Sequence, residues 1–216
     1  MEKILVIGGS RGIGREVCKA AIAGGYQVRS MSRRSGKLES VNERYEAFGG
    51  DALNVSDVAR ALDGVDAVVQ ALGVPPSLDL ITKPVSLFSK ATEILIPEME
   101  KAGVKKLVAV TGFGAGDSNA SINTLQRVPF KLLLGRAYDD KSTQERLIEQ
   151  SNLDWLIVRP GVLTNQPASG KYRVLREPNE WRNGIVARAD VADFIIKQLK
   201  ADQLGRQKPV VIRYRL

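Results

Sequence analysis

Four glycines, at positions 8, 9, 12 and 14, follow the apolar run Ile4-Leu5-Val6-Ile7, with Ser10, Arg11 and Ile13 set between them. A continuous run of β-branched and aliphatic residues suits a strand covered on both faces. Gly8 permits a tight turn off that strand, Gly12 lets backbone approach a pyrophosphate, and Gly14 lets the next helix sit close to the sheet. Ser10 and Arg11 add a hydroxyl and a guanidinium to the free N–H groups at the helix start, where the macrodipole favours an anion. The chemistry of this stretch is the holding of a phosphate ester. Glycines alone would also suit a plain strand–turn–helix connection. Here a strand precedes them, a helix with Val17, Ala20 and Ala21 on one side follows, and a second strand comes next, which favours a nucleotide loop.

A second set of candidates lies about 20 residues past the glycines, where a dinucleotide fold reaches the adenosine ribose and an acidic residue would bind the 2′-hydroxyl of NAD. Here the residues are Ser32, Arg33 and Arg34, with no Asp or Glu between Glu16 and Glu39. Two guanidiniums and a hydroxyl match a 2′-phosphate, so NADP(H) is the expected cofactor; an exposed basic turn is the plainer alternative. Asp51, after Gly49-Gly50, could accept from an adenine amino group or simply shape a turn. Gly73 can bring backbone close to the cofactor. Thr111 ends an apolar run at the carboxyl edge expected of the sheet, so its hydroxyl faces the nicotinamide region.

Composition excludes other chemistries. The 216 residues contain no histidine and one cysteine, which removes Ser-His-Asp and Cys-His nucleophile systems, the usual zinc sites and an internal disulfide; no metal site is expected. Cys18, within the first helix, reads as a buried structural thiol. The net charge of +8 is spread along the chain, with dense basic stretches only at residues 29–37 and in the last dozen. The first reads as a phosphate site and the second as solvated surface, so no nucleic-acid partner is expected. No apolar run approaches a membrane span or signal-peptide core, and a soluble cytoplasmic protein, monomer or homodimer, is expected.

The elements that must position these residues follow from hydrophobic period and turn chemistry. Strands are expected at 4–7, 26–32, 45–48, 66–70, 105–110 and 154–159, with a small outer strand at 171–175 and a last one at 209–213. Helices are expected after Gly14, at 56–62 with Ser56 as cap, at 85–102 with a kink at Pro97, at 136–150, and from Asp190 to about residue 204. Residues 74–78, with Pro75-Pro76, read as a loop, and 117–135 as a partly helical insertion. Alternating strands and helices in one chain of this length predict a single α/β domain, a Rossmann-like doubly wound parallel sheet over residues 1–216.

With these pieces in place the sequence resembles the short-chain dehydrogenase/reductase superfamily over essentially its whole length, and more narrowly its atypical NAD(P)H-binding branch of NmrA-like proteins and biliverdin-IXβ/flavin reductases. The resemblance is carried by Gly8-Gly9-Ser10-Arg11-Gly12-Ile13-Gly14, Gly50-Asp51-Ala52, Ala71-Leu72-Gly73, Val110-Thr111-Gly112-Phe113-Gly114-Ala115-Gly116-Asp117, Lys141 with Glu145, Val158-Arg159-Pro160-Gly161, Gly170-Lys171-Tyr172-Arg173-Val174 and Ala189-Asp190-Val191-Ala192. It implies NADP(H) lying across the carboxyl edge of the sheet. In that setting the first-loop residues, Asp51, Ala52, Ala71, Leu72 and Gly73 line the nucleotide, Lys141 holds the nicotinamide ribose, and backbone from Pro160 through Val162 to Leu163 contacts the carboxamide. It also implies a small substrate region formed by about 112–135 and 161–188.

Family members that reduce carbonyls use a Tyr four residues before the Lys as general acid, with a Ser or Thr to orient the substrate. Lys141 occupies the lysine position, which puts Ala137 where the tyrosine belongs, and Gly112 stands where a second Ser would follow Thr111. Tyr138 pairs with Lys141 at i+3 and can share a helix face with it, as proton donor or as packing residue. The sequence thus implies an NADPH-dependent oxidoreductase acting on a small conjugated or carbonyl acceptor such as a flavin or quinone. The alternatives are an NmrA-like NADP(H) sensor working through a protein partner, and an epimerase or dehydratase acting on a small sugar derivative.

Overall fold

The structure is a computed structural model that describes residues 2–33, 43–74, 85–121 and 124–215, with no side chains described at 121, 124–134 and 215. β1 (Lys3–Ile7) runs between β2 (Gln27–Ser32) and β4 (Ala67–Gln70) in parallel register, Ile4 opposite Val28 on one side and Ala67 on the other. β3 (Tyr45–Gly49), β5 (Lys106–Val110) and β6 (Asp154–Pro160) extend the sheet outward, and β10 (Val210–Ile212) and β8 (Arg173–Leu175) complete it in the order β3-β2-β1-β4-β5-β6-β10-β8. Every pairing is parallel except β8 on β10. This is the Rossmann-like doubly wound sheet expected from the sequence.

The apolar run of β1 explains why helices cover both faces. Ile4 and Val6 point to one side, where they pack with Val17, Cys18 and Ala21 of α1 (Gly12–Ala23) and Phe194 and Ile195 of α5 (Arg188–Leu199). Leu5 and Ile7 point to the other, against Val58 and Leu62 of α2 (Val55–Leu62), Leu95 and Met99 of α3 (Leu87–Lys101), and Ile148 of α4 (Thr124–Gln150). Strand alternation places successive side chains in opposite layers. Cys18 is buried, as expected of a structural thiol, and burial pushes its pKa up to about 12.

Several expectations need correction. α2 is capped by Asn54, whose side chain accepts the Asp57 N–H at 3.0 Å, so the helix starts one residue before Ser56. Residues 117–135 are partly helical as expected, but their helical part is continuous with the helix expected at 136–150: after a 3-10 turn at Gly116–Ser121, α4 begins at Thr124 and runs to Gln150. The last helix starts at Arg188 and ends at Leu199. A second sheet of three short strands, β7 (Val162–Thr164), β9 (Gly184–Ala187) and β11 (Tyr214–Arg215), was not anticipated. α3 continues through Pro97. The loop expected at 74–78 lies outside the described residues beyond Val74.

The first loop and the strand it leaves approach each other closely. A Cβ on Gly14 would run into the Gly8 carbonyl, and one on Gly8 would lie 2.7 Å from the Ala71 carbonyl oxygen. Both obstacles are backbone and cannot swing away, so Gly14→Ala is expected to destabilise the protein by about 1–3 kcal/mol. A denaturant titration checks this; an unchanged midpoint would contradict the tight helix–strand packing.

Candidate functional site

The carboxyl ends of six parallel strands, β1 to β6, put most of the sequence-derived candidates along one edge. At the end of β1, Gly8 donates its N–H to the Met31 carbonyl of β2 at 2.9 Å, and Ala71 donates to the Ile7 carbonyl at 2.9 Å, which ties the first loop between its two neighbours. Strand order reverses at β1, and the crevice at such a switch point is where open α/β sheets bind ligands. Ser10 and Arg11 are exposed above it. Arg11 flanks the start of α1 in extended conformation, its side chain makes no cap bond, and the first turn of α1 carries no acidic residue. The helix therefore presents its first N–H groups and positive dipole end with no acidic side chain in its own first turn. Gly12 has φ +57, and a side chain there would meet no atom within 4 Å. An open, amide-lined bend at a helix N-terminus fits a diphosphate.

Gly73 closes the far wall, its carbonyl accepting from the Arg11 guanidinium at 3.3 Å. Asp51 follows β3. Its Oδ1 accepts the Leu53 N–H at 3.0 Å and its own N–H donates to Asp57 at 2.9 Å, while Ala52 beside it is buried. One oxygen of Asp51 thus serves the turn. Ser32 ends β2 half-buried and Arg33 is exposed just beyond it; Arg34 lies outside the described residues. Arg29, part of the basic stretch read as a phosphate site, is corrected by the structure. It is buried, pairs with Glu46 at 2.9 Å, and donates to the Ala61 and Asp63 carbonyls at 2.8 and 2.7 Å, closing the C-terminus of α2.

The other half of the edge is built on β5, β6 and α4. Lys141 is half-buried, donates to the Val110 carbonyl at 3.2 Å and lies 4.2 Å from the centroid of the Phe88 ring. Burial lowers its pKa to about 8, against the opposing pull of Glu145 and Asp140. Asp140 holds the end of α3 from across the helix pair, its carboxylate accepting the Phe88 and Ser89 N–H groups at 2.8 and 3.3 Å. It does the work of an N-cap and fixes the ring under Lys141. Asp140→Ala is expected to cost about 1–2 kcal/mol, read as a lowered midpoint of thermal unfolding; an unmoved midpoint would contradict the capping role.

Thr111 is buried and donates its hydroxyl hydrogen to Glu145 at 2.6 Å. Glu145 in turn accepts from Arg159 at 3.1 and 2.6 Å, and Arg159 reaches Asp117 at 2.5 Å; Lys208 bridges Asp117 and Glu149 at 2.8 and 2.9 Å. Burial would depress the Arg159 guanidinium, but the carboxylates of Glu145 and Asp117 outweigh it and raise its pKa. The hydroxyl expected to face the nicotinamide is thus held by this network. Tyr138 is half-buried, and the space beside Gly112 belongs to its phenol: a Cβ on Gly112 would lie 2.6 Å from the Tyr138 hydroxyl. Burial pushes that phenol up to about 12. Ala137, at the family tyrosine position, is buried. Pro160 is buried and its carbonyl accepts the Phe113 N–H at 2.9 Å; Val162 is exposed and Leu163 half-buried on β7. A cavity of about 290 Å³ lined by Ile4, Tyr26, Asp66 and Lys106 lies at the opposite, amino edge of the sheet, away from all of these residues.

A family model described as NAD(P)H-binding matches residues 8–202. The chain belongs to this NAD(P)H-binding family. The finding bears out the resemblance read from the glycine loop and makes a nicotinamide nucleotide the ligand of the family fold. Among curated relatives, the photosystem II assembly factor Ycf39 of Synechocystis is 26% identical over 97% of this chain and 62% of its own length. The chain thus spans about three fifths of that protein. An uncharacterised sugar epimerase, YhfK of Bacillus subtilis, is 26% identical over 81% of this chain and 76% of its own. Among solved structures, ChuY of Escherichia coli O157:H7, described as an anaerobillin reductase, superposes with TM-score 0.81 at 27% identity, covering 98% and 97% of the two chains. A Veillonella parvula short-chain dehydrogenase/reductase in complex with NADP shares the fold at TM-score 0.81 and 16% identity. Among the described residues, no helix of this NAD(P)H-binding protein is long and apolar enough to cross a membrane, and no cluster of His, Cys, Asp and Glu could hold a metal.

Sequence reasoning missed Asp140 and the joint role of Glu145 and Arg159. Glu145 and Arg159 both stand within the motifs that carry the resemblance, and a Glu four places after a helical Lys is a visible signal. The distant partners of Asp140 leave no local trace.

Proposed function

We propose that this protein is an NADPH-dependent oxidoreductase that reduces a small, flat, conjugated acceptor such as a flavin or quinone. The observation that carries the reading is the open bend at Gly12, with the uncapped start of α1 behind it and Lys141 at the far end of the same edge. The amides of the bend and Arg11 would hold the diphosphate, and Arg33, with Ser32 and Arg34, the 2′-phosphate. Lys141 would hold the nicotinamide ribose, and the backbone past Pro160 the carboxamide. When bound, the reduced nucleotide supplies a hydride, two electrons and one proton, to the acceptor. The second proton comes from solvent or from Tyr138. With Ala137 in place of the family tyrosine, the chain's contribution is positioning, which suits an acceptor that stacks on the nicotinamide and needs no strong protein acid.

A second reading is favoured by the same alanine: a nucleotide-binding regulator or assembly factor that acts through a protein partner, as the likeness to Ycf39 suggests. Following NADPH absorbance with riboflavin, FMN and quinones separates the two. Turnover with a member of the panel supports the reductase; tight NADPH binding with no acceptor reduced favours the partner reading. For cofactor choice, Arg33→Ala together with Arg34→Ala is expected to reduce the preference for NADPH over NADH by about tenfold, and unchanged selectivity in parallel titrations would overturn the assignment.

Lys141 gives a pH dependence. Its pKa in the free protein is about 8, so below that pH the ammonium is charged and ready to donate to the ribose. Above it, binding must take up a proton, and the NADPH Kd is expected to rise by up to about tenfold per pH unit. Lys141→Gln should bind more weakly and lose this dependence; a flat profile in the wild type would remove Lys141 from the nucleotide site.

A further inference from the structure

The chain leaves the carboxyl edge of the main sheet at β6 and again at β10, and each time adds a strand to the small sheet: β7 starts two residues past Pro160 and β11 two past Ile212. The small sheet sits directly on those strand ends. A Cβ on Gly161 would strike the Gly184 carbonyl, and one on Gly184 would lie 2.8 Å from the Ile212 side chain. Phe113, bonded to Pro160 and packed with Ile212 and Trp181, joins the Thr111 loop to the same corner.

The inner face of the small sheet is spent on the core, where Val186 is buried and Leu163 packs beside it. The outer face is set by register: Ile185 of β9 is paired with Val162 on one side and Tyr214 on the other. Directly paired residues project to the same face, so these three side chains form one row, about 10 Å long at the usual strand spacing. Val162 is 51% and Tyr214 57% exposed, two of the four exposed large hydrophobic residues among those described. The Arg213 guanidinium lies 4.7 Å from the Tyr214 ring centroid. Residues 161–216 hold eleven Lys and Arg against five Asp and Glu, most of the net +8.

An apolar row with a cation stacked at one end fits a flat molecule that carries an acidic group. We propose that Val162, Ile185 and Tyr214 seat the acceptor, and that the acceptor is an elongated planar anion whose ring system lies along the row and whose carboxylate or phosphate reaches Arg213. The row starts beside Pro160, so the Val162 end is the one next to the nicotinamide position. The assignment rests on the reductase reading and narrows its substrate class. In a twofold contact centred on the row, Arg213 would meet the apolar Val162 end of a second copy, and the row itself supplies no anion to pair with it.

FMN and riboflavin share a ring system and differ by one phosphate, so together they test the row and the cation separately. Titrated by flavin fluorescence in the presence of NADP⁺, the wild type is expected to bind FMN about tenfold more tightly than riboflavin. Arg213→Gln should bring FMN to the riboflavin level, and Tyr214→Ser should weaken both about tenfold. Ile185→Thr, within the row, should weaken both as well. The NADPH Kd should stay unchanged in all three variants. Equal binding of the two flavins by the wild type, or wild-type binding in the variants, overturns the proposal, as does a Tyr214→Ser variant that loses only self-association. The titration needs no turnover. Shifted binding without reduction of any acceptor removes the reductase reading and keeps the row as an anion site; NADPH oxidation with unshifted variants removes the row and keeps the reading.

Discussion

Arg159→Met is expected to cost the protein about 3–5 kcal/mol of folding stability. Arg159 has no exposed surface, and its guanidinium is the counter-charge for buried Glu145 and for Asp117, which is 49% exposed. Methionine keeps much of the volume but leaves Glu145 a buried anion whose remaining hydrogen bond, among the described residues, comes from the Thr111 hydroxyl. An unpaired buried charge is far more costly than the pair is favourable. Glu145→Gln should be milder, since the amide can still accept from Arg159, and Asp117→Asn milder again because water reaches that carboxylate. Chemical denaturation of the three variants should rank them in that order. A marginal effect for Arg159→Met would mean that the ion network contributes little to holding α4 against β6, and that Thr111 is not fixed by it.

Gly12→Asp is expected to weaken NADPH binding by at least about 100-fold with little loss of stability. The residue sits at φ +57, a conformation Asp tolerates better than most side chains, and open space surrounds its Cβ position. Folding therefore has little to lose. Binding has much to lose, because a carboxylate would stand where the diphosphate approaches the start of α1; like charges at such range cost several kcal/mol, and each 1.4 kcal/mol is about tenfold in Kd. A thermal melt beside a nucleotide titration reads both quantities. Retained NADPH affinity in a folded Gly12→Asp protein would place the nucleotide elsewhere.

The parts of this molecule that are legible in its sequence are those with a local signature. The Ile4–Ile7 run and the glycines after it disclose a two-sided strand, a phosphate loop and the switch point, because a central parallel strand must be apolar on both faces and the loop must be bare. The strand ends at Thr111 and Pro160 follow from the order of elements, whereas Lys141 with Glu145 is carried by the resemblance to the reductase branch. What escaped notice depends on contacts between distant parts of the chain. The caps that Asp140 supplies to Phe88 and Ser89 join residues 52 and 51 positions apart. Arg29 reads as one of a basic cluster, yet strand alternation turns it into the protein to meet carbonyls at the end of α2. The strands β7, β9 and β11 are two to four residues long, too short for any period to register, and they exist because β6 and β10 deliver the chain to one corner. Asn54 and Ser56 are both capable caps, and only the first has the extended backbone that capping requires.

The central claim is that the bend after β1 binds the diphosphate of a nicotinamide nucleotide and that guanidiniums after β2 select the phosphorylated form. Calorimetric titration of the wild-type protein with NADPH, NADH and inorganic phosphate tests it most directly. One NADPH per chain, bound at least about tenfold more tightly than NADH, is the expected result; no saturable binding of either nucleotide, or affinity no greater than for phosphate alone, would contradict it.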